Sequence, residues 1–381
     1  MQRSTKLVHN RSLIDAATHA SSPAIHRGST FDQRPGNGAS SYTYSRVSNP
    51  TRALLEETLC ELEEGVQGFA FASGMAAISA VFQLFGPGDH VLLPHDLYGG
   101  SFQLAESLQS QGKLAVSYVD TSSLADVERH IKPETRALYV ETPSNPCLRV
   151  SDLQALARLG REHNLITIAD NTFMSPYLQR PLTLGFDIVL HSATKFLGGH
   201  SDVLAGAVIT RCPDIAERIH QIQVMYGGIL SPDDSWIVLR GIKTLGIRMD
   251  REQENALHLA EFFCQRPEVS MVYYPGLDDH PHHDLQASQA DGPGAVLSIE
   301  LEPGIDAADF ATRLRLAIFA VSLGGVETIV SHPATMSHAA VPADIRRRMG
   351  VRDQLLRISA GIEAIEDLLA DFDAALAACR R

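Results

Sequence analysis

Between about residue 49 and residue 243, short apolar runs alternate with stretches whose apolar residues recur at helical spacing, and each run ends in a polar cluster. GDHVLLPHD, RALYVETPSNP, LITIADNT and DIVLHSATK read as buried strands, while segments such as SDLQALARLGREHN read as amphipathic helices. Strand and helix in alternation argue for a parallel sheet covered on both faces, an α/β fold. In open sheets of this kind ligands bind beyond the carboxyl ends of the strands. Three successive runs place Asn145, Asp170 and Lys195 there, 25 residues apart, about one strand–helix repeat. The spacing predicts that the three side chains converge on one crevice.

A lysine that closes an apolar strand must either snorkel to water or hold some chemistry, and snorkelling is the commoner case. An Asp at a strand end is more often a turn or helix cap. A third element changes the weighing. FAFASGMAAISAVFQLF carries a short apolar run, then Ser73-Gly74-Met75, then an Ala-rich helix. A small-residue turn opening a helix leaves backbone N–H groups aimed at an anion, and Ser192 and Thr194 can add hydroxyls. Lysine, carboxylate and phosphate cradle together match the needs of pyridoxal 5'-phosphate. The lysine bonds the cofactor's aldehyde, the carboxylate keeps its ring nitrogen protonated, and the helix end anchors its phosphate.

The rest of the chain is organised around that unit. Residues 1–48 are polar and rich in Gly, Ser and Thr, and read as an arm with little core, ordered against another surface. LSPDDSWIVLRGIKTLGIRMDREQENALHLAEFFCQR reads as one long helical stretch, with Ser231 as N-cap, Pro232 at the first helical position, and Gly241 and Gly246 as places for a bend. A smaller α/β unit follows, with GAVLSIEL and LLRISAG as strands and IEAIEDLLADFDAAL as the closing helix. The expected division is an arm (1–48), a cofactor-binding large domain (49–243) and a C-terminal small domain (244–381).

A net charge of −13 without charge blocks argues against a nucleic-acid partner. Five scattered cysteines form no CxxC pair, so neither a zinc ribbon nor a disulfide framework is indicated. The first twenty residues lack the apolar core of a signal peptide, and no apolar run reaches the length of a membrane span. The expectation is a cytoplasmic protein with reduced thiols and no membrane partner.

At this point the sequence resembles the Cys/Met-metabolism family of pyridoxal-phosphate enzymes, which holds cystathionine synthases and lyases and the methionine lyases. YSRVSNPTR (44–52), FASGMAA (71–77), DLYGG (96–100), ETPSNP (141–146), DNT (170–172), HSATKFLGGHSD (191–202), SLGGVE (322–327) and RISAGIE (357–363) fall in family order over nearly the whole chain. The resemblance implies the aminotransferase-like fold of type I, a large domain with a mostly parallel sheet plus a smaller C-terminal α/β domain, assembled as a homotetramer of close dimers. It implies that Tyr44 and Arg46 reach the phosphate of the neighbouring subunit. Gly74, Met75, Ser192 and Thr194 would bind the phosphate, Tyr98 stack on the ring, Asp170 pair with its nitrogen, and Asn145 lie near the ring hydroxyl. Arg357 would clamp the substrate carboxylate, with Ser322 and Glu327 nearby. Lys195 and Tyr98 would be the catalytic acid–base groups.

The activity implied is a carbon–sulfur lyase that takes a sulfur amino acid resembling cystathionine to a thiol, ammonia and a 2-oxo acid. A γ-replacement synthase of the cystathionine γ-synthase or O-acylhomoserine sulfhydrylase kind uses nearly the same residues. A methionine γ-lyase-like activity is a further alternative, opposed by Gly100, where methionine lyases typically carry cysteine. Members that handle cystathionine often have an acidic residue at the position of Thr43 and arginine at that of Gln103, so a smaller or less polar thioether is allowed. His26 stands where an aromatic is common. A non-catalytic dinucleotide binder is a different class of reading, and no GxGxxG fingerprint supports it.

Other features have plainer readings. DDHPHHDLQ (278–286) suits a polar loop better than a metal cluster. His200 is read evenly as a pocket residue or a hydrogen-bonded loop residue, Cys147 as a buried filler, and Trp236 as core or interface.

Overall fold

The computed structural model describes residues 1–9, 14–15, 18–34, 42–339, 341 and 343–379. The Gly/Ser-rich stretch 35–41 of the arm therefore lies outside the described residues. The helices that matter for the site are α1 (Arg3–Val8), α2 (Pro50–Glu63), α3 (Gly74–Phe82) and α4 (Gly99–Ser110). Strands β1 (Gln67–Phe71), β2 (His90–Pro94), β3 (Ala115–Val119), β4 (Thr135–Glu141), β5 (Ile166–Asp170), β6 (Ile188–His191) and β7 (Gly206–Thr210) form a seven-stranded sheet in the order β1-β7-β6-β5-β4-β2-β3.

Residues of β2, β6 and β7 are buried along their whole length, which is why those segments read as unbroken apolar runs instead of alternating ones. The sheet is not wholly parallel. β7 runs antiparallel to both β6 and β1. No helix lies between β6 and β7, so the chain cannot make the crossover a parallel partner needs and returns in the opposite direction.

A second sheet holds β8 (Val269–Tyr273), β9 (Val296–Leu301), β10 (Ile318–Phe319), β11 (Ile329–Ser331) and β12 (Leu355–Ser359) in the order β10-β11-β12-β9-β8. It is antiparallel except for the β10–β11 pair. Its inner face packs on the helices 245–264, 307–312 and 365–379 through Phe263, Phe310 and Phe372.

The expected long helix is two helices, Pro232–Ile242 and Leu245–Cys264, interrupted at Lys243–Thr244. Ser231 caps the first as predicted, its Oγ accepting the Asp234 N–H at 3.0 Å. The arm is less bare than its composition suggests. In α1, Leu7 is 2% exposed and joins the core of its own chain, and Arg3 donates to the Tyr177 carbonyl at 2.7 Å. The indole of Trp236 donates to the Pro23 carbonyl at 3.1 Å, fastening the arm further along. The polar DDHPHH loop ends in a short helix, His283–Gln289. Among the described residues no helix is long and apolar enough to cross a membrane.

Candidate active site

Lys195 does not snorkel. The chain leaves β6 at His191 and turns tightly, the Lys195 N–H donating to the Ser192 carbonyl at 3.1 Å. That turn directs the side chain inward, where Nζ donates to Ser322 Oγ at 2.6 Å. Burial, and next the positive Arg357, lower the amine from its usual 10.5 to about 8.

Arg357 comes from the middle of β12 and is buried. One amino group donates to Asn145 Oδ1 at 2.9 Å and the other to the Ser322 carbonyl at 2.6 Å, while Nε is buried with no partner. Burial brings this guanidinium down to about 10, an effect opposed by Tyr98. Asn145 is held in place from the second sheet as well, since Ser298 Oγ on β9 donates to the Pro146 carbonyl at 2.7 Å. The two sheets thus meet at this cluster, one supplying the lysine and the other the arginine.

Asp170 closes β5. Its Oδ1 accepts the Thr172 N–H at 3.0 Å and the Thr172 hydroxyl at 2.5 Å, and its Oδ2 accepts the Tyr139 hydroxyl at 3.2 Å. Beside it in register on β4 stands Glu141, whose two oxygens both lie 3.1 Å from the Tyr98 N–H. Two buried carboxyls so placed cannot both ionise cheaply. Burial and then Asp170 raise Glu141 well above the usual carboxylate range. Burial raises Asp170 too, but Thr172 and His191 oppose it, so Asp170 is the member of the pair better prepared to carry charge.

Ser73 Oγ caps α3 by accepting the Ala76 N–H at 3.1 Å, and the N–H groups of Gly74 and Met75 have no partner among the described residues. A Cβ on Gly74 would lie 3.0 Å from both Cβ and Oγ of Ser192, so only glycine brings the helix end this close to the lysine turn. Thr194 is otherwise engaged: its hydroxyl donates to the Ala205 carbonyl at 3.2 Å and accepts the Ala205 N–H at 3.0 Å.

Tyr98 sits just before α4, half-buried, with its phenol raised by burial, then Glu141 and Asp170. A Cβ on Gly100 would meet the Tyr98 ring at 2.6 Å and Met75 Sδ at 2.7 Å, so the second glycine of YGG leaves the room that ring occupies. Glu327 stands at the edge, accepting from Ser201 Oγ at 3.4 Å.

Tyr44 and Arg46 are not brought to Lys195 by their own chain. Both are exposed; Arg46 donates to the Val224 carbonyl at 2.6 Å and lies 5.6 Å from the centre of the Tyr44 ring. His200 Nδ1 bonds to the Gly198 carbonyl at 2.9 Å, the loop role. Cys147 is buried, with its thiol pushed up to about 12 mainly by burial, which makes it a poor nucleophile. Among the described residues no group of His, Cys, Asp and Glu is placed to hold a metal ion, and no disulfide joins the cysteines.

Four buried ionisable residues escaped the sequence reading: Glu141 behind Tyr98, the pair Glu63 and His191 at 2.5 Å, and Arg52 under the arm. Glu141, Glu63 and His191 meet partners far along the chain, and Arg52 meets the turn a few residues before it, so no apolar or capping pattern marks them.

The residues fit the cofactor expected from the sequence. The site offers an amine near neutrality, a hydrogen-bonded carboxylate, open N–H groups at a helix start and an arginine with an unpartnered buried Nε. The sequence profile described as "Cys/Met metabolism PLP-dependent enzyme" matches residues 4–377. The chain is 48% identical over 372 residues to cystathionine beta-lyase of Bacillus subtilis (strain 168), covering 98% of this chain and 95% of that one. It is 46% identical over 378 residues to cystathionine gamma-lyase of the same organism, covering 99% of each. Among solved structures it is similar to cystathionine gamma-lyase from Lactobacillus plantarum complexed with L-serine, with a TM-score of 0.97, 44% identity and complete coverage of both chains.

Proposed function

The chain belongs to the Cys/Met-metabolism family of PLP-dependent enzymes, and from that premise we propose that it is a carbon–sulfur lyase of trans-sulfuration, eliminating a thiol from a cystathionine-like amino acid. The products are the thiol, ammonia and a 2-oxo acid. The observation that carries this reading is the meeting of Lys195, Ser322, Arg357 and Asn145, an amine beside a carboxylate-binding guanidinium. The bound cofactor supplies an electron sink for charge developing at the substrate Cα.

The chain's own residues do the rest. Arg357 grips the substrate carboxylate through its fork. Lys195, close to neutrality, takes the Cα proton and returns it where needed. Asp170, oriented by Thr172, would hold the ring nitrogen by its negative charge. Tyr98, its phenol kept protonated by burial and two acidic neighbours, donates to the departing sulfur. Gly74 and Met75 would hold the phosphate with their N–H groups, and Ser192 and Thr194 with their hydroxyls. Glu327, beside Ser201, would contact the substrate.

We assign residues 1–48 to an arm, 49–243 to the cofactor-binding domain and 244–381 to the small domain. The arm carries Tyr44 and Arg46 to the phosphate of a neighbouring subunit in a homotetramer, which agrees with their exposure in the single chain. A cytoplasmic location suits the reduced thiols.

Incubating the cofactor-loaded protein with L-cystathionine alone tests the activity. Homocysteine with pyruvate means cleavage at Cβ; cysteine with 2-oxobutyrate means cleavage at Cγ. No product from a visibly loaded protein would overturn the cystathionine assignment and direct attention to shorter thioethers.

A further inference from the structure

Arg52 is 1% exposed, yet it bonds mainly to backbone carbonyls. One amino group donates to the Ser45 carbonyl at 2.7 Å and the other to the Val47 carbonyl at 3.1 Å. Its Nε lies 3.3 Å from Glu56 Oε1, close enough for an ion pair but without hydrogen-bond geometry. Glu56 is anchored in turn, accepting the Ala70 N–H at 2.9 Å and the Gln223 amide at 3.2 Å. The guanidinium therefore joins β1 and the helix 213–226 to the turn of residues 44–47.

Other bonds also hold this turn, the Ser45 N–H donating to the Ser29 carbonyl at 2.9 Å and Arg46 to the Val224 carbonyl at 2.6 Å, but neither reaches α2. The turn's internal bonds, Val47 N–H and Ser48 N–H to the Tyr44 carbonyl at 2.9 and 3.1 Å, shape it without placing it. Tyr44 and Arg46, on either side of Ser45, are both exposed, and Arg46 reaches back to the Val224 carbonyl. Asn49 adds one link from the start of α2, its amide donating to Ser45 Oγ at 3.0 Å. A planar fork across two carbonyls fixes both position and orientation, which a lysine's single ammonium cannot do.

We propose that Arg52 is a positioning residue for cofactor binding, holding the Ser45–Val47 turn so that Tyr44 and Arg46 meet the phosphate of the neighbouring subunit. The inference rests on the reading above that these two residues cross the interface.

The test is a thermodynamic cycle read as the dissociation constant of pyridoxal 5'-phosphate, measured by equilibrium dialysis of the assembled protein. Wild type, Arg46→Ala, Arg52→Gln and the double variant are compared, with thermal unfolding and molar mass recorded for each. Each single change is expected to weaken retention about tenfold or more, the scale of a lost charge-assisted bond. Because Arg52 acts through the turn, the double variant should bind no worse than the weaker single variant. Multiplying effects in the double, or unchanged retention in a folded Arg52→Gln, would overturn the proposal. Unchanged retention in Arg46→Ala would instead overturn the interface reading beneath it. Should Arg52→Gln fail to fold, Arg52→Lys keeps the charge and loses the fork; wild-type retention in that variant would also be fatal.

Discussion

Lys195 Nζ and Ser322 Oγ are 2.6 Å apart, although 127 residues separate them in the chain. Ser322 holds this place with φ of 83°, in the left-handed region, which a non-glycine residue enters only under constraint. The same residue's carbonyl receives Arg357. One strained residue thus contacts both basic groups of the site.

Capture of the cofactor aldehyde requires the neutral amine, so the apo protein's capture rate should follow deprotonation of Lys195. With the amine at about 8 instead of 10.5, the rate rises with pH and levels off near about pH 9, where an ordinary lysine would still be almost wholly charged. Stopped-flow absorbance across that range reads it directly. A rate still climbing steeply at about pH 10 would show that burial and Arg357 do not act on this group.

Substitutions around Lys195 should move that midpoint in opposite directions. Ser322→Ala removes an acceptor for the charged amine and should lower it. Arg357→Leu removes a repelling charge and should raise it. The backbone gives Ser322 a second test. Ser322→Gly loses the hydroxyl but accepts the positive φ, and should be about 1 kcal/mol more stable than Ser322→Ala. Equal Tm values for the two would mean the strain is absent.

Arg357→Lys keeps a positive charge and loses the fork. Losing one charge-assisted bond to the substrate carboxylate should raise KM about tenfold to a hundredfold while changing kcat less. The matched control is a substrate analogue lacking the carboxylate, which wild type and variant should bind equally weakly. A variant with wild-type KM would remove Arg357 from the clamp.

The parts of this site readable from sequence were those tied to strand ends. Asn145, Asp170 and Lys195 stood out because apolar runs stop there and because parallel sheets gather such ends together. Ser73-Gly74-Met75 was readable for a similar reason, as a cap before an apolar helix. Arg357 and Ser322 had no such marker: one lies in mid-strand and the other in a loop, and only the resemblance in RISAGIE and SLGGVE pointed to them. β7 was missed because GAVIT is short and follows a glycine-rich loop with no helix before it. Glu141 and Glu63 were missed because each looks like surface charge until a residue far along the chain meets it, and Arg52 because its partners are backbone carbonyls of the preceding turn.

Glu63 and His191 supply the last prediction. Glu63 ends α2 and His191 ends β6, both are at most 2% exposed, and they meet at 2.5 Å. Asn171, at the next position past Asp170, also donates to Glu63 Oε1 at 3.1 Å. The pair therefore fastens α2 to the two strand ends that present Asp170 and Lys195. Removing one partner leaves the other buried without it, a loss of about 3–5 kcal/mol. Glu63→Leu and His191→Leu should each lower Tm sharply, whereas the double variant should lose much less than the two losses combined, because no unmatched group remains. Thermal unfolding of the four proteins gives the coupling. Simple additivity would mean that the two side chains are neighbours without an energetic bond, and that α2 is held to the sheet by Leu55, Leu59 and Leu62 and by Glu56 on the Ala70 N–H.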